Sequence, residues 1–279
     1  PSIQNYSSFL LSWQEAGIFW MRLVLSRYIL AITKFCCDMN IEPIAHIRSD
    51  FPEKFGIPRQ SGLADSLLAR IVFETPYRTP DALRGLEDFD YIWLLWEFSA
   101  NRRFKGERNP TPSSGKSRGE AVDWQPTVRP PRLGGNRSMG VFATRSPFRP
   151  NPLGLSSVKI KKIDYNTPEG PVIWVSGADL MDGTPIYDIK PYIRYADSHP
   201  EARSGYVDSL EERSLEVHIP EELRRRISSP TAEALIQVLE LDPRPSYQDD
   251  PQRVYGLSFA GMNIHFTVSG KLLTVLSID

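Results

Sequence analysis

From residue 41 onward, apolar and polar positions alternate or cluster in short blocks separated by proline, glycine and aspartate, a pattern of strands rather than long helices. Ile44, Ala45, His46 and Ile47 predict a first strand and residues 69–73 a second, with Pro52, Gly56 and Pro58 breaking the chain into a loop between them. Pro80 to Gly85 reads as one helical turn stopped by glycine. Residues 91–98 are a near-continuous apolar and aromatic block, which predicts a strand buried on both faces. Residues 158–163 and 172–175 add two more strands. Many short strands without long helices between them predict a mainly β fold built on a closed antiparallel β-barrel.

Beyond about residue 200 the pattern changes. Leu223, Ile227, Ala234, Leu235, Val238 and Leu239 recur at helical spacing, split by Pro230, and three strands come after them at 253–259, 264–268 and 272–278. The expected organisation is a barrel domain over residues 40–200 and a small C-terminal α+β domain over 201–279. Residues 101–123 carry almost no apolar side chains and predict an exposed loop insertion. Residues 1–38 are rich in Leu, Ile, Phe and Trp but interrupted by Arg22, Arg27 and Lys34. They contain no uncharged run near the roughly 20 residues that span a bilayer and lack the basic start of a signal peptide. Met39 stands directly before the first strand pattern, so residues 1–38 are expected to be a non-native or unstructured extension.

A formal net charge of −1 means that any nucleic-acid partner must be read from local rather than global charge. The two cysteines, Cys36 and Cys37, are adjacent and cannot frame a disulfide scaffold, which favours a reducing, cytoplasmic setting. His46, His199, His218 and His265 are scattered with no metal-ligand spacing, so no metal site is expected.

Local charge is concentrated in one place. Arg129, Arg132, Arg137, Arg145 and Arg149 fall in a stretch with no acidic residue between Asp123 and Asp164. Proline and glycine interleave them: Arg129-Pro130-Pro131-Arg132-Leu133-Gly134-Gly135-Asn136-Arg137, then residues 140–154. Guanidiniums on stiff loops suit phosphates or a carboxylate and lose less entropy on binding; the competing reading is a solvated basic loop. A second segment, Asp179-Leu180-Met181-Asp182-Gly183-Thr184-Pro185, places carboxylates around an Asp-Gly turn before a short strand bracketed by Pro185 and Pro191. Such carboxylates can hold ribose hydroxyls or an amine, or accept a proton. The third, Asp242-Pro243-Arg244-Pro245-Ser246-Tyr247, reads alone as a proline-terminated helix end.

Together with Pro58-Arg59-Gln60, these segments resemble the TsaA-like family, the TrmO-type tRNA methyltransferases, from about Asn40 to the C-terminus. The resemblance implies a non-Rossmann β-barrel that binds S-adenosylmethionine, a smaller C-terminal domain, and a homodimer with sites near the subunit interface. It also implies a cytoplasmic enzyme that methylates N6 of N6-threonylcarbamoyladenosine beside the tRNA anticodon. Carried over by position, the cofactor contacts fall on Pro58, Arg59, Gln60, Ser99, Ala100, Arg145, Leu155, Asp179, Leu180, Met181 and Asp182. Ser99-Ala100 stands where the family often has His-Gln, which is harmless if those contacts run through the backbone. Asp242, Arg244 and Tyr247 are the candidates for substrate positioning or proton handling, and Arg129, Arg132, Arg137 and Arg149 for holding phosphates and the threonyl carboxylate. Arg102, Arg103, Lys105, Arg108, Lys116 and Arg118 in the insertion either touch tRNA or keep a loop soluble. Two rivals remain: a non-catalytic RNA-binding β-barrel module, and a methyltransferase for another substrate. A Rossmann-type enzyme is disfavoured, because no glycine-rich strand-to-helix loop is present.

Overall fold

The structure is a computed structural model that describes residues 40–100, 125–133, 137–210, 214–244, 248 and 250–279. The 1–38 extension and the 101–123 insertion lie outside the described residues. Residues 43–279 cluster as one compact unit.

Chain order gives β1 (Ala45–Arg48), β2 (Leu68–Phe73), β3 (Tyr91–Glu97), two two-residue strands β4 (Thr127–Val128) and β5 (Met139–Gly140), then β6 (Leu153–Thr167), β7 (Gly170–Ser176) and β8 (Pro185–Pro191). Six of these close into a barrel in the order β1-β2-β7-β6-β3-β8, every neighbouring pair antiparallel. Period-two alternation sends Ala45 and Ile47, Ala69 and Ile71, Ile92 and Leu94, and Ile173 and Val175 inward, so the barrel is a packed core. β3 departs from the sequence expectation. It alternates instead of being buried on both faces: Ile92, Leu94 and Trp96 are buried while Trp93 and Leu95 on the opposite face are half-buried. Large aromatic side chains on a barrel's outer face produce an apolar run without full burial. Where β3 meets β8 the register slips, with Leu95 opposite Asp188 but Trp96 opposite Ile186. Tyr187 is the extra residue of that bulge, a device that re-aims one side chain.

After a single turn, α1 (Arg194–Asp197), the chain forms β9 (Glu216–His218), α2 (Glu221–Arg224), α3 (Ser229–Glu240), β10 (Tyr255–Phe259), β11 (Met262–Ser269) and β12 (Leu272–Ile278). The sheet order is β10-β11-β12-β9, with β9 parallel to β12. The helical break expected at Pro230 lies earlier. Ser228 caps α3 by accepting from the Thr231 backbone N–H at 3.3 Å, and Pro230 sits in the first turn, where its missing N–H leaves no bond unmade. α3 packs Leu235 and Leu239 against Phe259, Ile264, Phe266 and Leu273, all fully buried.

Phe51, Ala64 and Leu67, from the loop between β1 and β2, belong to this same C-terminal core. Phe51 packs its ring 5.4 Å from that of Phe259. The Ala260 N–H donates to the Asp50 carbonyl at 2.9 Å, and the Ser66 N–H to Gln237 Oε1 at 2.9 Å. Gly56, at φ +88°, lies so close that a Cβ there would come within 2.2 Å of Leu257 Cδ1. The loop that carries residues 58–60 is thus buttressed from the C-terminal side.

Candidate active site

A cavity of about 390 Å³ opens at one end of the barrel, within the size range of small-molecule sites. Four chain segments converge on it. The end of β3 and the residues just beyond it supply Trp93, Trp96, Glu97, Phe98, Ser99 and Ala100, and the start of β6 supplies Leu153, Gly154 and Leu155. The β1–β2 loop brings Lys54, Ile57, Pro58, Arg59 and Gln60. The arginine segment, which runs into β6, adds Arg145, Pro147 and Arg149, and the turn between β7 and β8 adds Asp179, Met181 and Thr184.

Of the eleven expected cofactor contacts, nine therefore line one cavity. Leu180 does not: it is fully buried in the barrel core. Asp182 does not line it either: it accepts from the Ser49 N–H at 3.1 Å and lies 3.7 Å from Arg48. Burial, then repulsion from Asp182, pushes the neighbouring Asp50 carboxyl above its ordinary range. Of the four arginines expected on the substrate side, Arg149 lines the cavity, whereas Arg129 and Arg137 are exposed elsewhere. The Arg132 side chain and Tyr247 lie outside the described residues. Asp242 and Arg244 are both buried and bound to each other, Nε to Oδ1 at 2.8 Å and Nη2 to Oδ2 at 3.0 Å, and neither lines the cavity.

Inside the cavity the walls are tied by a short relay. The Trp96 indole N–H donates to Ser156 Oγ at 3.0 Å, and the Ser156 hydroxyl donates to Asp179 Oδ1 at 2.6 Å. Backbone N–H groups of Ser61 and of Asp179 itself also support the carboxylate, so β3, β6, the β1–β2 loop and the β7–β8 turn meet on one side chain. Burial nevertheless pushes the Asp179 carboxyl up, outweighing these hydrogen bonds and the nearby Arg145. Arg145 itself donates to Gln60 Oε1.

Protonation of Asp179 is thereby linked to folding. The folded chain holds the Asp179 proton more tightly than the unfolded chain, so stability falls as pH rises from the ordinary value of 3.8 through the raised one. Asp179→Asn is expected to flatten the decline in stability as pH rises above 3.8, measured by denaturant unfolding at a series of pH values. An unchanged pH slope would show that Asp179 titrates alike in both states.

Trp93, Trp96, Glu97, Ser156 and Tyr187 were not among the expected site residues. One signal was available for Glu97, a lone charge closing the apolar run 91–98. Ser156 and Tyr187 carry no local signal.

Comparison with known proteins finds relatives along most of the chain. The model of the tRNA-methyltransferase O N-terminal domain matches residues 46–198 and that of the TrmO C-terminal domain matches residues 212–279. A tRNA (adenine(37)-N6)-methyltransferase of Escherichia coli is 36% identical over 250 residues, covering 87% of this chain and 98% of that protein. The enzyme of the same name from Eikenella corrodens is 50% identical over 156 residues, 56% of this chain and 87% of its own. The crystal structure of TrmO from Pseudomonas aeruginosa superposes with a TM-score of 0.65 at 32% identity, covering 88% of this chain and 99% of that one.

Proposed function

This chain belongs to the tRNA-methyltransferase O family, and from that premise we propose that it methylates N6 of N6-threonylcarbamoyladenosine at tRNA position 37, beside the anticodon. It is an S-adenosylmethionine-dependent tRNA methyltransferase. The observation that carries the finer reading is the convergence on one cavity of Arg149 and a wall suited to a nucleoside cation.

The residues present fit that donor. Trp93, Trp96, Phe98 and Leu155 offer an apolar and aromatic surface for a purine, and Asp179 a carboxylate for hydroxyls or an ammonium. Arg145 and Gln60, bonded to each other, frame the cavity from two loops. Bound S-adenosylmethionine supplies a methyl group already activated on a sulfonium. The protein's part is to align the acceptor nitrogen and receive its proton. Arg149, on the cavity wall, suits a pairing with the threonyl carboxylate, a charge-assisted contact that a bare adenine does not offer.

Asp242 and Arg244, locked together away from the cavity of their own chain, are better suited to positioning the C-terminal segment against tRNA than to chemistry. Exposed Phe142, Phe148 and Leu155, the last on the cavity wall, support assembly as a homodimer with the sites near the interface. A tRNA substrate favours a cytoplasmic location. The rival RNA-binding barrel has no use for a cavity whose buried carboxylate is held by a four-segment relay.

The test is methyl transfer from labelled S-adenosylmethionine to two tRNAs, one carrying threonylcarbamoyl on A37 and one with bare adenine. Label in the first alone is expected; label in both would make the enzyme a broader adenine methyltransferase, and label in neither would favour the RNA-binding module. Arg145→Ala is expected to weaken donor binding about 10- to 100-fold by titration, the worth of one or two charge-assisted hydrogen bonds.

A further inference from the structure

Glu97 is a carboxylate buried on the cavity wall, 8% exposed, at the end of β3. Burying a carboxylate beside Trp93, Trp96 and Phe98 is unfavourable unless it is paired, so its surroundings must compensate. Tyr187, the extra residue of the β3–β8 bulge, donates its phenol O–H to Glu97 Oε2. A regular ladder would have left Tyr187 in sequence-alternating register; the bulge turns it onto the neighbouring strand.

Methylation of an exocyclic amino nitrogen to a neutral product releases one proton, and a group at the cavity must receive it. Among the described residues, the carboxylates lining the cavity are Glu97 and Asp179, and no histidine lines it. Asp179 accepts from Ser156 and from two backbone N–H groups and is the carboxylate offered to the donor's hydroxyls or ammonium, which commits it to the donor side. We infer that Glu97 is the proton acceptor of the transfer step, with Tyr187 as the residue that positions it. As the bond between N6 and the methyl carbon forms, the sulfur–methyl bond breaks and its electron pair stays on sulfur, leaving a neutral thioether. The N6 proton passes to a Glu97 oxygen and from there to solvent. Nothing else is consumed.

Among the described residues, the charged groups sharing this wall with Glu97 are Lys54 and Arg59 from the β1–β2 loop, Arg145 and Arg149 from the arginine segment, and Asp179 from the β7–β8 turn; β8 contributes Tyr187, and β6 contributes Leu153, Gly154 and Leu155.

The inference rests on the N6-methylation reading, and the experiment separates the two. Single-turnover methyl transfer is measured across pH for the parent, Glu97→Gln, Glu97→Asp and Tyr187→Phe, with donor affinity titrated for each. Glu97→Gln is expected to bind the donor with unchanged Kd and to transfer methyl at least about 100-fold more slowly, without the acidic limb of the pH profile. Glu97→Asp is expected to recover part of the rate with the limb restored. Tyr187→Phe is expected to keep the limb but move it to higher pH, because a hydrogen bond that favours the ionised carboxyl has been removed. Parental rates in Glu97→Gln, or rate and donor affinity lost together in all three variants, overturn the assignment of Glu97 alone. A parent enzyme that transfers no methyl to N6 overturns the proposed function and this inference with it.

Discussion

Gly154→Ala is expected to lose most of its affinity for S-adenosylmethionine, although the substitution adds a single methyl group. A Cβ at residue 154 would come within 2.3 Å of Trp96 Cε2 and 2.4 Å of Cζ2, distances that no packed carbon atoms adopt. Gly154 and Trp96 are directly paired across β6 and β3, so the ladder holds both backbones in place and the indole must move. The indole is also the first member of the relay to Ser156 and Asp179, so its displacement withdraws a hydrogen bond from the hydroxyl that orients the cavity's carboxylate. Overpacking of this kind costs about 1–3 kcal/mol of stability, or roughly 2–4 °C of Tm per kcal/mol in a chain of this size. Donor affinity is expected to fall by more than about tenfold at temperatures where the variant is fully folded, the equivalent of roughly 1.4 kcal/mol of binding. Titration calorimetry beside a thermal melt reads both quantities. Parental affinity with a lowered Tm would show that the indole can swing aside without disturbing Asp179.

Phe259→Ala carries the largest expected loss of stability. The ring is fully buried, and truncating such a side chain costs about 3–5 kcal/mol, a large part of the roughly 5–15 kcal/mol that holds a typical domain together. The loss is not confined to the C-terminal sheet. Phe51 packs on this ring, and the adjoining Asp50 carbonyl takes its hydrogen bond from Ala260, the next residue along. Loosening that contact frees the loop that delivers Pro58, Arg59 and Gln60 to the cavity. Denaturant unfolding is expected to show the lost stability, and donor titration well below the unfolding transition a weakened affinity. Unchanged affinity would mean that the barrel holds this loop without help from the C-terminal core.

The strands were legible because alternation and short apolar blocks bounded by turn residues are local properties: residues 44–47, 158–163 and 172–175 announce strands from their own pattern. The same locality made the glycine turns and the helical stripe of α3 readable, while the contacts from Pro58 to Asp182 came from the family resemblance, and nine of those eleven residues line one cavity. It misled where one pattern has two causes. The apolar run at 91–98 marks a strand with one buried face and one aromatic outer face, and Pro230 opens a helix instead of breaking one. Where the pattern alternates it also fixes which face of the strand turns inward, because a slip of one residue would turn every core side chain outward.

Which strands become neighbours is set by closure of the whole sheet. The order β1-β2-β7-β6-β3-β8 brings Trp96, Ser156 and Asp179 into one relay although residues 96 and 179 are far apart in sequence. Nothing near Ser156 marks it as a bridge, and nothing near Tyr187 marks the bulge that turns it onto Glu97, since both depend on a partner strand. Phe51 likewise joins a core built from residues beyond 214, and Asp242 and Arg244 pair with each other away from the cavity, outcomes of long-range packing that no window of sequence contains. Alternation and turn chemistry act between near neighbours and are written along the chain. The neighbours that orient and charge a site are chosen only when distant segments fold together.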